Sequence, residues 1–263
     1  MAVMTVTEWI KKAKEIEQLN TVYCVGAFGH EITPTNIEVL KRNYPSKYPD
    51  SKVNALKALV GKKYYAFDCL GLQKSILWGF PNYKYGANNV VDYNEVGMMN
   101  LCSSRSTDFS QIVDGAVLYM SGHVGIYVGD GKVIESSPKW KNGVQITNLG
   151  NISKYKTGNY RIWEQWGKLN YIDYKVKVEV NRVKYELDII SKGCKDGING
   201  VRNVKAMQGL LTAKGYPLSI DGSCGSKSVA AIKEFQTHNE YYKKIGGIVD
   251  GICGKNTWCA LLQ

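Results

Sequence analysis

Two hydrophobic periods divide the first two thirds of the chain. Helical spacing comes first. Residues 7–19 place Trp9, Ala13 and Ile16 on one face, with Thr7 as the expected N-cap. Residues 35–42 and 51–60 follow the same period. In the latter Ser51 is the expected cap, Val53, Leu56, Leu59 and Val60 line the face, and Gly61 ends the run. Pro45 and Pro49 break the stretch between these two. A further helix is predicted after Cys69, with Leu72, Ile76 and Leu77 apolar and Gly79 and Pro81 as the stop. From about residue 115 to 163 the period becomes two. Ala116–Met120, His123–Val128, Lys132–Ser136 and Val144–Thr147 read as antiparallel strands. Helices packed on a small antiparallel sheet make an α+β first domain, residues 1–168. Residues 169–190 carry weaker signals and read as a linker. Within them Lys175–Val180 alternates, as an extended linker or an edge strand would.

The remainder, residues 191–263, contains an internal repeat. Ile220-Asp-Gly-Ser-Cys-Gly225 recurs as Val249-Asp-Gly-Ile-Cys-Gly254, and a helical pattern follows each, Ser228–Gln236 and Thr257–Leu262. An earlier helix runs from Val201 to Leu211. D-G-x-x-G is a tight-turn sequence: the Asp bonds the local backbone and glycine takes positive φ. Val204–Leu211, Gly215-Tyr216, the two D-G turns, Ala231-Ile232, Phe235-Gln236 and Thr257-Trp258 occur in an order that resembles the peptidoglycan-binding domain type 1 family. The resemblance implies a small three-helix module that holds the protein on the cell wall, with Asp221 and Asp250 as candidate substrate contacts. The alternative is that these turns are only scaffold. Cys224 and Cys253, at equivalent places in the two turns, read as buried small apolar side chains.

Charge widens the choice of partner before the motifs narrow it. The 263 residues carry a net charge of +11, split as +6 over residues 1–170 and +5 over 171–263. A spread positive charge suits a polyanion such as nucleic acid, a membrane surface or an anionic cell wall. No zinc-finger spacing or RNP-like aromatic run supports nucleic acid. No apolar run approaches the roughly 18 residues of a membrane span. The N-terminal residues read as a capped helix and not as a secretory signal. Seven cysteines without a C-x-x-C pair, and three scattered histidines (His30, His123, His238), give no metal site, and no cofactor is implied.

The candidate chemistry lies at Asp68-Cys69 and His123. Asp68 is a good N-cap, which puts Cys69 in the first turn of its helix, where the helix dipole favours a thiolate. In His123-Val-Gly-Ile-Tyr-Val128, alternation turns Val124, Ile126 and Val128 to the core. His123, Gly125 and Tyr127 then lie on an open face, with Gly125 leaving room for substrate. The turn Gly129-Asp-Gly131 fixes the next strand. A two-residue loop would bury Glu135 on the apolar face, so a three-residue loop with Gly131 left-handed is favoured. Ile134 then pairs with Ile126, and Glu135 lies diagonal to His123, able to accept from the imidazole and fix its tautomer.

Asp68-Cys69-Leu70-Gly71 and Gly122-His-Val-Gly-Ile-Tyr127, with Asp114-Gly115 before the sheet, resemble the NlpC-type family of papain-like cysteine peptidases. Leu70 stands where serine is common and Glu135 where histidine is commonest. The sister CHAP amidases also use glutamate beside histidine. The resemblance implies Cys69 as nucleophile, His123 as base and Glu135 as the third residue. It also implies an oxyanion tyrosine, Tyr23 if Tyr23-Cys-Val-Gly26 is the family's Y-x-x-G and residues 27–64 are an insertion. Tyr64, Tyr65 and a purely packing role for Tyr23 are the alternatives. Gly125 and Trp140 are candidate substrate contacts, with Trp78, Trp140, Trp163 and Trp166 read as core or cleft wall more than as specific ligands. The implied protein is a monomeric, metal-free peptidoglycan hydrolase that acts at the cell wall without a membrane anchor. The absent signal adds the expectation of a phage endolysin made in the host cytoplasm. The bond is γ-D-glutamyl–diamino acid, or alternatively N-acetylmuramoyl-L-alanine. A non-catalytic wall-binding protein is the competing class.

Overall fold

A computed structural model describes residues 2–263. They form two compact units: Met1–Ser103 with Gly115–Ile172, and Ser104–Asp114 with Asp173–Gln263.

In the first unit, β1 (Met4–Thr5) leads directly into α1 (Val6–Glu17). The cap is Thr5, two residues ahead of the expected Thr7. Thr5 is followed at the third helical position by Glu8, and the pair closes a capping box: Glu8 N–H donates to Thr5 Oγ1 at 3.3 Å and Thr5 N–H to Glu8 Oε2 at 2.9 Å. After β2 (Thr21–Tyr23) the chain makes an excursion through β3 (Phe28–Glu31), α2 (Pro34–Asn43) and α3 (Asp50–Lys57). Pro49, and not Ser51, is the N-cap of α3, with Asp50 placing its carboxylate in the first turn. In the excursion Ile32, Ile37, Leu40, Tyr48, Val53 and Leu56 pack together, in one cluster with Val22, Cys24 and Ala66 of the segments on either side. It returns as β4 (Tyr65–Phe67), which lies between β2 and β3, parallel to β2 and antiparallel to β3. Then α4 (Cys69–Trp78) begins at Asp68 and ends at Gly79, which takes φ +100°.

The chain continues through α5 (Glu95–Asn100), β5 (Cys102–Ser106), β6 (Val117–Met120), β7 (His123–Tyr127), β8 (Lys132–Ser137), β9 (Gly143–Leu149), β10 (Tyr160–Arg161), β11 (Gln165–Leu169) and β12 (Ile172–Asp173). Seven of these form one curled sheet, in the order β10-β9-β8-β7-β6-β11-β5. The sheet is mixed, not purely antiparallel as expected. The chain leaves β9 by a loop and comes back beside it in the same direction, so Tyr160 pairs with Asn148 in a parallel bridge. The β7–β8 register is the expected one: Ile126 faces Ile134, and Tyr127 faces Val133. Val128 N–H donates to Lys132 O at 2.9 Å around a loop in which Gly129, Asp130 and Gly131 all have positive φ. The second face of β7 is not open. Both Gly125 and Tyr127 are buried.

In the second unit, β13 (Lys175–Val180) and β14 (Val183–Asp188) form a hairpin, which settles the reading of 175–180 as a strand. Asn181 and Arg182 both have positive φ, the pairing a tight two-residue turn requires. The helical region has four segments where three were expected: α6 (Val204–Ala213), α7 (Ser226–His238), the five-residue α8 (Glu240–Lys244) and α9 (Lys255–Leu261). The repeated turns are held in the same way. Gly222 and Gly251 each take φ +77°. Buried Gln208 donates to Asp221 Oδ1 at 2.8 Å and accepts from Gly222 N–H at 2.9 Å. Buried Gln236 does the same with Asp250 Oδ1 (2.8 Å) and Gly251 N–H (2.8 Å). The Asp221 and Asp250 carboxylates also accept from Ser223 and Ile252 N–H, so both are occupied in building their turns. Cys224 and Cys253 are buried with free thiols, and Trp258, also buried, donates its indole N–H to Asp188 O at 2.8 Å.

Candidate active site

The site begins at the junction of β4 and α4. Asp68 caps α4 through Oδ1, which accepts from Gly71 N–H at 2.5 Å. Its other oxygen accepts from Gly26 N–H at 2.7 Å, and Asp68 N–H donates to Ala27 O at 2.8 Å. One residue thus orients the helix turn carrying Cys69 and ties the 23–27 loop to it. Gly71 makes the contact possible, because a Cβ there would lie 1.9 Å from Ala27 O. That neighbour is backbone and cannot rotate away. Gly71→Ala is therefore expected to destabilise the unit by about 1–3 kcal/mol, as overpacking does. Chemical denaturation would measure this, and an unchanged midpoint would mean that the loop does not press on α4.

The tied loop brings in Tyr23, the last residue of β2, which pairs with Phe67 across the parallel ladder. Burial raises the Tyr23 phenol, and the Cys69 and Asp68 charges beside it raise it further, so it remains a hydrogen-bond donor. The two alternative tyrosines point elsewhere: Tyr65 packs edge-on against Phe80 at 5.5 Å, and Tyr64 packs on the cluster of the excursion. The segment expected as an insertion, residues 27–64, holds β3, α2 and α3 between β2 and β4.

The environment of Cys69 departs from the expectation. Burial first, and then the Asp68 charge, push its thiol up to about 11. The backbone N–H groups of Val124, Leu70 and Cys69 favour the thiolate, as the helix dipole was expected to, but do not prevail. At neutral pH the sulfur keeps its proton until a base removes it. Alkylation of Cys69 by iodoacetamide is therefore expected to accelerate steadily through pH 9, above the range of an ordinary exposed thiol near 8.5. A rate already at plateau by pH 7 would indicate a preformed thiolate. The helix that opens with Cys69 packs against β7: Gln73, one turn further on, donates from Nε2 to Gly125 O at 3.2 Å, two residues from His123.

His123 uses one ring nitrogen on its orienting partner. Nε2 lies 2.6 Å from Glu135 Oε2. Glu135 is fully buried, and its other oxygen accepts from Thr147 Oγ1 at 2.6 Å. Burial alone would raise this carboxyl. His123, Thr147 and Arg161 outweigh it and hold the group below its ordinary value. An ionised carboxylate can only accept, so the imidazole proton sits on Nε2, which leaves Nδ1 as the basic nitrogen.

Two of the expected substrate contacts fare differently. Gly125 leaves no room for substrate: a Cβ there would meet Val133 Cγ1 at 2.8 Å and the Trp163 ring at 2.9 Å. The space is filled by Trp163, which is buried and stacks on His123 with ring centroids 5.6 Å apart and planes 16° from parallel. Trp140 remains a surface group, 38% exposed, in a loop after β8. Its φ of +64° is unusual for a bulky residue. Gln145 holds that loop by donating to Lys139 O (2.9 Å) and Lys141 O (2.6 Å). The Lys139 ammonium lies 4.3 Å from the Trp140 ring centroid and the Arg161 guanidinium 5.0 Å from it. Arg161 and Thr147 were not among the residues read from the sequence, and no local pattern marks either. Among the described residues no cluster of His, Cys, Asp or Glu is arranged to hold a metal ion, and no helix is long and apolar enough to cross a membrane.

Comparison with curated proteins gave no match. A crystal structure of a peptidoglycan-binding protein from Clostridioides difficile in complex with glutamine hydroxamate is 26% identical over 52% of this chain and 74% of its own, with a TM-score of 0.23. Residues 201–261 match the family described as "Putative peptidoglycan binding domain". That match covers α6 to α9 and both D-G turns. The C-terminal region of this chain is therefore a peptidoglycan-binding domain, which implies action at the cell wall.

Proposed function

We propose that the first unit is a cysteine amidohydrolase that cuts the stem peptide of the peptidoglycan on which the C-terminal domain anchors it. One observation carries the reading. The helix that opens with Cys69 packs on β7, where its Gln73 donates to Gly125 O at 3.2 Å, and His123 Nε2 on that strand is committed to Glu135, so Nδ1 is the nitrogen left for a thiol. In this mechanism Nδ1 takes the thiol proton as the sulfur attacks the amide carbonyl. The Cys69 backbone N–H and the Tyr23 hydroxyl hold the oxyanion. The imidazolium then protonates the departing amine, leaving a thioester. Water attacks the thioester, gives its proton to Nδ1, and releases the acid and the thiol. The thiol's raised value fits this sequence, because the proton moves during attack and not before it.

Among stem-peptide bonds, γ-D-glutamyl–diamino acid is the first reading and N-acetylmuramoyl-L-alanine the second. Mass spectrometry of digested, purified walls separates them. Endopeptidase action is expected to leave L-alanyl-γ-D-glutamate attached to the glycan and to release peptides with a new diamino-acid amine. Free lactyl carboxylates on muramic acid would instead identify the amidase. Walls left intact would remove the hydrolase reading altogether.

A further inference from the structure

The third member of the set is not held by its own strand alone. Arg161, from β10, donates from Nε to the same Glu135 oxygen that meets His123, at 2.6 Å. Its Nη2 donates to Ser137 Oγ at 2.8 Å, and its outer face lies against the Trp140 ring. Only 13% of its side chain is exposed. The charged or titratable groups that meet the Glu135 carboxylate are thus His123 from β7 and Arg161 from β10, with the Thr147 hydroxyl closing it from β9.

We propose that Arg161 is a positioning residue for the Cys69–His123 reaction: it keeps Glu135 ionised and in place, and thereby keeps the His123 proton on Nε2 and Nδ1 basic. The proposal rests on the hydrolase reading above. A carboxylate with no exposure and without a cation is driven to take up a proton. A protonated Glu135 would donate to Nε2 instead of accepting from it. The imidazole would then carry its proton on Nδ1, where it can no longer accept one from Cys69. Trp140 and Ser137 give Arg161 its fixed orientation, which a flexible surface cation would lack.

The test uses the full chain, with R161M, R161K and S137A compared with the wild type. For hydrolysis of a soluble muropeptide, R161M is expected to lower kcat about 10- to 100-fold, the range seen for residues that orient a functional group from behind it, with KM within about twofold. The acid limb of the kcat–pH profile should move upward, because Glu135 now protonates at higher pH. Nitrogen-15 NMR of the three histidines should show His123 as the Nε2–H tautomer in the wild type and a growing share of Nδ1–H in R161M. R161K, which keeps the charge but not the two-pronged geometry, should restore the tautomer and part of kcat. S137A, a milder change, should move kcat in the same direction by a few-fold and covers the case in which R161M does not fold. The proposal is overturned if the tautomer is unchanged in R161M, or in S137A where R161M is not folded, or if activity falls only in proportion to the unfolded fraction. If the wild type cuts no peptidoglycan, the hydrolase reading fails, while the tautomer measurement still decides the role of Arg161.

Discussion

Cys69→Ala is expected to lower hydrolysis of purified peptidoglycan by about ten-thousand-fold or more, with melting little changed, because the loss removes the bond-forming atom and not a packing group. His123→Ala should cost about as much. The double variant should be scarcely worse than either single one, since nucleophile and base act as one unit and removing one idles the other. Initial rates for the three variants check this. Additive losses would mean that the two residues contribute separately and that the thiol does not depend on His123. The raised value of the Cys69 thiol makes the dependence strong: without a base at Nδ1, very little thiolate is available at neutral pH.

The second large effect is on stability. Glu135→Ala is expected to destabilise the first unit by about 3–5 kcal/mol, the usual cost of leaving one member of a buried ion pair alone. The orphan is Arg161, whose side chain is 13% exposed. Glu135→Ala combined with Arg161→Ala should recover part of this loss, because the double change removes both charges. Urea denaturation of the single and double variants measures it, and equal losses in both would show that the pair is not coupled. The pH dependence has a definite sign. The carboxyl of Glu135 is held below its ordinary value in the fold, so its contribution is present at neutral pH. It is lost as the pH falls through the acidic range in which the folded carboxylate takes up its proton.

The parts of the site legible in the sequence are those set by local rules. Asp68 as a cap, Cys69 in the first turn and the three-residue Gly129–Gly131 loop follow from turn chemistry and strand period. Together they place Glu135 on the His123 face without any tertiary knowledge. The true cap of α1 was legible too, since Thr5 and Glu8 stand at capping-box spacing. What was not legible depends on what covers a face once the sheet has formed. Alternation puts Gly125 beside His123 but cannot say that Trp163, from the segment between β10 and β11, fills the space above it. Arg161 reaches Glu135 across 26 residues because β10 returns parallel to β9, a crossing that no short-range pattern encodes. The Cys69 thiol shows the same limit. The helix dipole is local and visible in the sequence, whereas burial is tertiary, and here burial is the larger effect. In the second unit, Gln208 and Gln236 stand within the motifs of the resemblance, but their bracing of the D-G turns appears only when α6 and α7 pack against those turns.

The measurement closest to the central claim treats purified, insoluble peptidoglycan with the wild-type chain and with C69A in parallel. Protein in the pellet and new amine and carboxyl ends in the soluble fraction are then followed over time. Both proteins are predicted to sediment with the wall through the C-terminal domain, and only the wild type is predicted to release fragments. A wild-type chain that sediments with the wall yet releases nothing would contradict the account and identify a wall-binding protein on a peptidase-like scaffold.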